Sequence, residues 1–67
     1  MNRVRDFREK AKLTQQQLAE QTGLSLSTIR AIETGRWQPR LTSAQSIALV
    51  LKTKVELLFG VGEGVAS

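Results

Sequence analysis

Apolar residues recur three or four positions apart through most of this 67-residue chain, which is the spacing of helices that bury one face. Turn residues divide the chain into five such segments, and none of them is assigned to a strand. The pattern predicts an all-α domain with helices over about 3–11, 14–22, 25–34, 42–51 and 55–59. The residues expected to face inward are Val4, Phe7, Ala11, Leu13, Leu18, Ala19, Leu24, Ile29, Ile32, Ala44, Ile47, Ala48, Leu51, Val55, Leu58 and Phe59.

Capping signals predict where the helices begin. Thr14 and Gln17 have the spacing of a capping box, in which the hydroxyl accepts from the Gln17 amide and the Gln17 side chain returns to the cap. Ser25 is expected to cap the third helix. Thr42 and Gln45 repeat the capping-box spacing, so the fourth helix is expected to begin at Thr42.

Glycines predict where three helices end. Gly23, Gly35 and Gly60 each follow a helical segment, where a left-handed residue commonly closes the last turn. Pro39 favours an extended conformation at Gln38, in the loop before the fourth helix. Helical structure is therefore expected to stop at Gly60. We expect one domain over residues 1–60 and a flexible tail over 61–67.

The segment from Thr14 to Gly35 is the most informative part of the chain. Two short amphipathic helices joined by a tight turn at Gly23 make a helix-turn-helix, whose second helix can lie in the major groove of DNA. Because Ile29 and Ile32 are expected to be buried in the core, other residues of that helix are expected to face outward. The residues expected to contact base edges are Leu26, Ser27, Thr28, Arg30 and Ala31, of which only Arg30 can make a bidentate contact.

Positive charge supports contact with a polyanion. The formal net charge is +4, and basic residues gather in segments 3–12 and 30–40. The alternative reading is an ordinary solvated surface. Gln15 and Gln16 lie at the start of a helix, where the dipole and free amides favour a phosphate, unless they are merely solvated. Arg36 and Arg40 follow the third helix, called the reading helix below because it is expected to contact the bases. Both are expected to bind the DNA backbone, with neutralisation of the helix dipole as the alternative.

Two further side chains call for structural interpretations. Trp37 is the only tryptophan and is expected to pack as part of the core or as a lid over it, with a wedge against the DNA backbone as the alternative. Glu33 lies late in the third helix, where the dipole disfavours a negative charge. It is expected to form an ion pair with an arginine of the first helix or of the following loop.

Composition excludes several classes of function. With no Cys and no His, the chain offers neither thiol chemistry nor zinc sites built from those residues nor histidine acid–base catalysis. No activated nucleophile, acid–base pair or glycine loop for phosphate is present, so no enzyme, metal or cofactor is expected. The charged N-terminus is not a signal peptide, and the apolar run 47–51 is too short to span a membrane. A cytoplasmic, nucleoid-associated protein without a membrane partner is expected.

These residues together resemble the phage-repressor, or lambda-repressor-like, helix-turn-helix family. The pattern that carries the resemblance is Leu13-Thr14-Gln15-x-x-Leu18-Ala19-x-x-x-Gly23-Leu24-Ser25-x-x-Thr28-Ile29-x-x-Ile32-Glu33-x-Gly35, followed by Pro39, Ile47-Ala48 and Leu58-Phe59. It covers residues 2–60. The resemblance implies a compact five-helix domain that binds double-stranded DNA, usually as a symmetric dimer and usually to repress transcription. By position it implies base contacts from Leu26, Ser27, Thr28, Ala31 and sometimes Arg30, and phosphate contacts from Gln15, Ser25, Arg36 and Arg40.

The chain departs from the family pattern at several positions. Leu26 and Ala31 replace the polar amides common at base-reading positions. Lys52 stands where a helix-ending glycine is frequent, which would cost about 1 kcal/mol in a left-handed conformation. Two exposed leucines, Leu49 and Leu57, stand near Val50 and predict a self-association surface and a possible homodimer.

Two other functions remain open from the sequence. An antitoxin-like module would use the leucines and the tail to bind a protein partner, with DNA contact secondary. The chain could alternatively be the DNA-binding head of a larger regulator. Partner co-purification and the coding context, respectively, would distinguish them from a stand-alone regulator.

Overall fold

Five α-helices follow one another in the computed structural model, which describes residues 2–60. They are α1 (Val4–Lys10), α2 (Gln15–Thr22), α3 (Leu26–Glu33), α4 (Leu41–Val50) and α5 (Val55–Phe59). The prediction of an all-α, five-helix domain is confirmed. The predicted tail, 61–67, lies outside the described residues.

The core lies where all five helices meet. Helix α2 packs against α3 and α4, α1 packs against α3 and α5, and α4 packs against α5. Burying one Leu or Ile side chain contributes about 1.5–3 kcal/mol, so this cluster is the main source of stability. Its buried members are Val4, Leu18, Ala19, Ile29, Ile32, Ala44, Ile47, Ala48, Leu51, Leu58 and Phe59.

Side-chain caps stabilise the first turns of α2 and α3. The Thr14 hydroxyl accepts from the Gln17 amide at 3.0 Å, and the Gln17 side chain accepts from the Thr14 amide at 2.9 Å. The Ser25 hydroxyl accepts from the Thr28 amide at 3.1 Å. Each cap satisfies donors that the first turn of a helix otherwise leaves unpaired. The capping box and the Ser25 cap are therefore confirmed.

Two residues at the start of the chain tie α3 and α5 together. The Asn2 side chain donates to the Ile32 carbonyl at 2.7 Å, at the end of α3. The Arg3 amide donates to the Leu58 carbonyl at 2.8 Å, in α5. The end of α3 is thereby held by the N-terminal segment of the chain as well as by the core.

Left-handed residues close the first four helices. Gly23 and Gly35, each with φ of 76°, follow α2 and α3 as predicted. Lys12 (φ 59°) and Lys52 (φ 56°) follow α1 and α4. After α4, the amides of Lys52 and Thr53 donate to the carbonyls of Leu49 and Ala48, the paired bonds of a Schellman motif. The family resemblance marked Lys52 as a position where a helix-ending glycine is frequent, whereas nothing in the sequence marked Lys12.

Replacing Lys52 by glycine is expected to stabilise the domain by about 1 kcal/mol, because glycine adopts a positive φ without a Cβ penalty. The same gain is expected for Lys12→Gly. The measurement is the midpoint of urea unfolding. Lys10→Gly is the matched control because Lys10 lies within α1, where glycine is expected to cost about 1 kcal/mol. A gain at position 10 equal to that at 52 would refute the explanation.

The start of α4 differs from the prediction. The helix begins at Leu41, with Arg40 as its N-cap and no side-chain capping bond, whereas Thr42 and Gln45 are exposed within the helix. Pro39 is fully buried and Arg40 is extended, with ψ of 162°. Tertiary packing of this buried proline therefore outweighs a local capping signal. Ala11 was also expected to face the core but is exposed, because α1 ends before it.

Within residues 2–60, no helix has the length and apolar character needed to cross a membrane.

Candidate nucleic-acid interface

A glycine turn fixes α3 against α2. Gly23 is left-handed, and the Leu24 amide that follows it donates to the Ala19 carbonyl at 3.1 Å. Leu24 packs partly buried against the core. Leu18 of α2 and Ile29 of α3 are both fully buried, so the two helices share apolar packing. The result is the helix-turn-helix geometry that the sequence predicts.

The surface of α3 is divided between core and solvent. Ile29 and Ile32 are fully buried. Ser27 and Arg30 are exposed, and the remaining predicted base-reading residues, Leu26, Thr28 and Ala31, are half-buried. All five predicted base-reading positions are thus outside the core.

Some of the residues predicted to contact DNA line one shallow groove. Its lining comprises Gln15, Ser27, Arg30, Ala31, Thr34 and Arg36. Three predicted base-reading residues therefore lie beside two predicted phosphate ligands. The lining does not include the other predicted residues, Gln16, Ser25, Leu26, Thr28 and Arg40.

A buried ion pair lies behind this groove. Arg8 Nε donates to Glu33 Oε2 at 2.6 Å and Arg8 Nη2 to Glu33 Oε1 at 3.2 Å. Arg8 Nη1 also donates to the Leu13 carbonyl at 2.8 Å. The hydrogen bond to Glu33 raises the pKa of Arg8, so the guanidinium remains charged. The expected ion pair of Glu33 with an arginine of the first helix is confirmed.

Sequence reasoning missed the burial of Arg8. The arginines of the first segment were expected mostly on the outer face of their helix. Arg8 lies four positions after Val4, however, and this i, i+4 spacing places it near the buried stripe. That spacing, together with the expectation of a partner for Glu33, was the available signal.

Gln15 joins the ion pair to the reading helix. Its Nε2 donates to Glu33 Oε1 at 3.1 Å, and its Oε1 accepts from Arg30 Nε at 3.2 Å. Gln15 is half-buried and Arg30 is exposed. The side chain of Gln15 therefore spans the space between α2 and α3. Gln16 lies apart from this network, exposed and 3.5 Å from the Glu20 carboxylate.

The Ser25 hydroxyl is occupied within α3. Its oxygen accepts from the Thr28 amide, and it donates to Thr28 Oγ1 at 2.8 Å. The two hydroxyls are therefore hydrogen-bonded to each other in the first turn of α3.

The loop after α3 is tied to the groove by its backbone. The amides of Arg36 and Trp37 both donate to the Ala31 carbonyl, at 2.9 and 3.3 Å. Arg36 and Arg40 are exposed cations on either side of this loop. Trp37 is 43% exposed and is not a member of the core, so its roles as a lid over the core or as a wedge against DNA stay predictions. Pro39 is the loop residue that is fully buried.

Comparison with known proteins decides the family. A helix-turn-helix family model matches residues 4–58. The chain belongs to the helix-turn-helix family. The resemblance to lambda-repressor-like proteins is thereby confirmed.

Similar helix-turn-helix proteins occur in archaea and in a phage. An uncharacterised HTH-type transcriptional regulator of Archaeoglobus fulgidus is 40% identical over 57 residues, covering 85% of this chain and 81% of the relative. Another in Methanocaldococcus jannaschii is 40% identical over 58 residues, covering 87% and 88%. The immunity repressor of Bacillus phage phi105 is 38% identical over 58 residues, covering 87% of this chain and 40% of the repressor. The prediction of a DNA-binding transcriptional regulator is confirmed at this level.

Two of the three apolar residues of the predicted self-association surface of this helix-turn-helix protein are exposed. Leu49 at the end of α4 is 79% exposed and Leu57 in α5 is 51% exposed. Val50 instead packs partly buried against the core. The two leucines are therefore the members of the predicted surface that another molecule could cover.

Proposed function

We propose that this helix-turn-helix protein represses transcription by placing α3 in the major groove of double-stranded DNA. The observation that carries the proposal is the division of α3 between a buried face, Ile29 and Ile32, and an open face beside two exposed arginines, Arg30 and Arg36. The phage relative is described as an immunity repressor, which supports repression as the direction of regulation.

Base contacts are assigned to the open face of α3. Ser27 and Thr28 supply hydroxyls, and Leu26 and Ala31 offer apolar contact, most usefully to a thymine methyl. Arg30 is the one side chain of this face able to make a bidentate contact, worth about 1–3 kcal/mol of discrimination. A single copy therefore has modest sequence specificity.

Phosphate contacts are assigned to residues around the two ends of α3. Arg36 and Arg40 supply charge after the helix. Ser25 lies at its beginning, and Gln16 lies in the first turn of α2, where free amides and the helix dipole attract an anion. These contacts position the protein on the duplex without reading its sequence.

A homodimer is part of the proposal because one α3 reads few bases. A symmetric pair would read two half-sites of a palindrome, with Leu49 and Leu57 covered between the copies. Their exposure also favours the second candidate, an antitoxin-like module that binds a different protein. Analytical ultracentrifugation tests the homodimer: a wild-type dimer that Leu49→Glu dissociates supports it, and a wild-type monomer contradicts it.

The proposal includes no enzymatic activity, since the family regulates transcription. It places the protein in the cytoplasm, associated with the nucleoid.

DNA affinity is expected to fall steeply with salt, because each neutralised phosphate releases counterions. Two arginine contacts give a log–log slope of about −1.8 for one copy, and Arg36→Ala is expected to reduce it to about −0.9. The measurement is fluorescence anisotropy on a duplex selected from a random pool and on a scrambled duplex. Arg36→Ala should weaken both alike. A slope near zero for the wild type would refute the proposed function.

A further inference from the structure

Gln15 was expected to donate its amide to a DNA phosphate, but the structure gives that amide a different partner. Its Nε2 lies 3.1 Å from Glu33 Oε1, and its Oε1 lies 3.2 Å from Arg30 Nε. Both contacts are within hydrogen-bonding distance.

Chemistry leaves only one orientation for this amide. Ionised Glu33 only accepts hydrogen bonds, and a guanidinium such as that of Arg30 only donates them. The Gln15 nitrogen must therefore face Glu33 and its oxygen must face Arg30. Glu33 is itself fixed, since its side chain is 3% exposed and doubly bonded to Arg8. Gln15 is thus anchored from the interior of the domain.

The anchored amide restricts Arg30. An exposed arginine ordinarily samples many rotamers, and ordering it on binding costs conformational entropy. Here Arg30 Nε donates to Gln15. Within residues 2–60, the two terminal nitrogens of Arg30 donate to no other group. Those terminal nitrogens are the fork that recognises a guanine edge or a phosphate.

We propose that Gln15 is a positioning residue that aims Arg30 at DNA, and that this role, more than a phosphate contact, accounts for its contribution to binding. The inference rests on the proposed function. Specificity at the base that Arg30 reads then depends on a chain of contacts that begins at Arg8, inside the domain, and passes through Glu33 and Gln15.

The test is a double-mutant cycle on the selected duplex and on its single-base variants. Gln15→Met is expected to weaken binding about fivefold and to relax preference at one base position. Arg30→Ala should weaken binding about tenfold. The double variant should bind no more weakly than Arg30→Ala, because Gln15 has nothing left to aim. In an Arg30→Lys background, which lacks Nε, Gln15→Met should again change nothing.

Gln21→Met is the matched control, since Gln21 is an exposed glutamine of the same helix, α2, outside the groove lining. It should leave both affinity and base preference unchanged. Circular dichroism of each variant establishes that the helices are retained at the temperature of the binding assay.

Additive losses in the cycle, or equal losses on all duplexes for Gln15→Met, would show a direct phosphate contact and overturn the positioning role. Wild-type protein that bound no duplex would instead refute the proposed function. A measurement without DNA separates the two: the Arg30 Nε–H signal in a nitrogen-15 NMR spectrum should exchange slowly in wild type and faster in Gln15→Met. Equal exchange rates in the two proteins would overturn the proposal.

Discussion

Replacing Arg8 by methionine is expected to destabilise the domain by about 3–5 kcal/mol. The Glu33 side chain is 3% exposed, and without Arg8 its charge would keep only the amide of Gln15 as a partner. An unpaired buried charge is among the most unfavourable features that a single substitution can create. Chemical unfolding monitored by circular dichroism measures the loss.

The pair of Arg5 and Glu9 is the matched control, because its side chains are 69% and 58% exposed and 3.4 Å apart. Arg5→Met removes the same charge and is expected to cost no more than about 0.5 kcal/mol. The double variant Arg8→Met/Glu33→Leu removes both buried charges and should recover most of the stability, even if Arg8→Met alone does not fold. Equal losses at positions 5 and 8 would contradict the role assigned to the buried pair.

Replacing Ser27 by glutamate is expected to lower DNA affinity by about 100-fold or more, since a like charge against the duplex costs several kcal/mol. Ser27 is exposed, lines the groove and is the second residue of α3. An acidic side chain in the first turn of a helix contributes about 0.3–1 kcal/mol of stability through the helix dipole. The substitution should therefore lower affinity strongly without weakening the fold. Unfolding and anisotropy experiments on one sample measure the two effects.

Gln21→Glu makes the same change of charge at an exposed position of α2 outside the groove lining. It should reduce affinity only a few-fold, through the lower net charge. If Ser27→Glu behaved no differently from this control, α3 would not be the helix that approaches DNA.

Local signals were enough to predict most of the fold. Thr14 and Ser25 cap their helices with their own hydroxyls, and Gly23 adopts the conformation that glycine alone reaches cheaply. Each of these features depends on residues a few positions apart. Ile29 and Ile32 were predictable for the same reason, because helical periodicity is local.

Features that depend on distant packing were not predictable in this way. Thr42 has a capping sequence, but the burial of Pro39 moves the helix start to Leu41. Trp37 is 43% exposed, and no local pattern in the sequence decided between core and surface for it. The contact between Gln15 and Arg30 joins residues that are fifteen positions apart, and the sequence alone gave both of them as independent DNA ligands.

The partly exposed indole of the residue after Arg36, a groove residue, has a practical consequence. Trp37 is the only tryptophan of the chain, and its backbone amide is bonded to the Ala31 carbonyl. All tryptophan emission therefore arises from one point next to the reading helix. Unlabelled protein carries its own optical reporter there, so an occupied groove can be followed spectroscopically without attaching a dye.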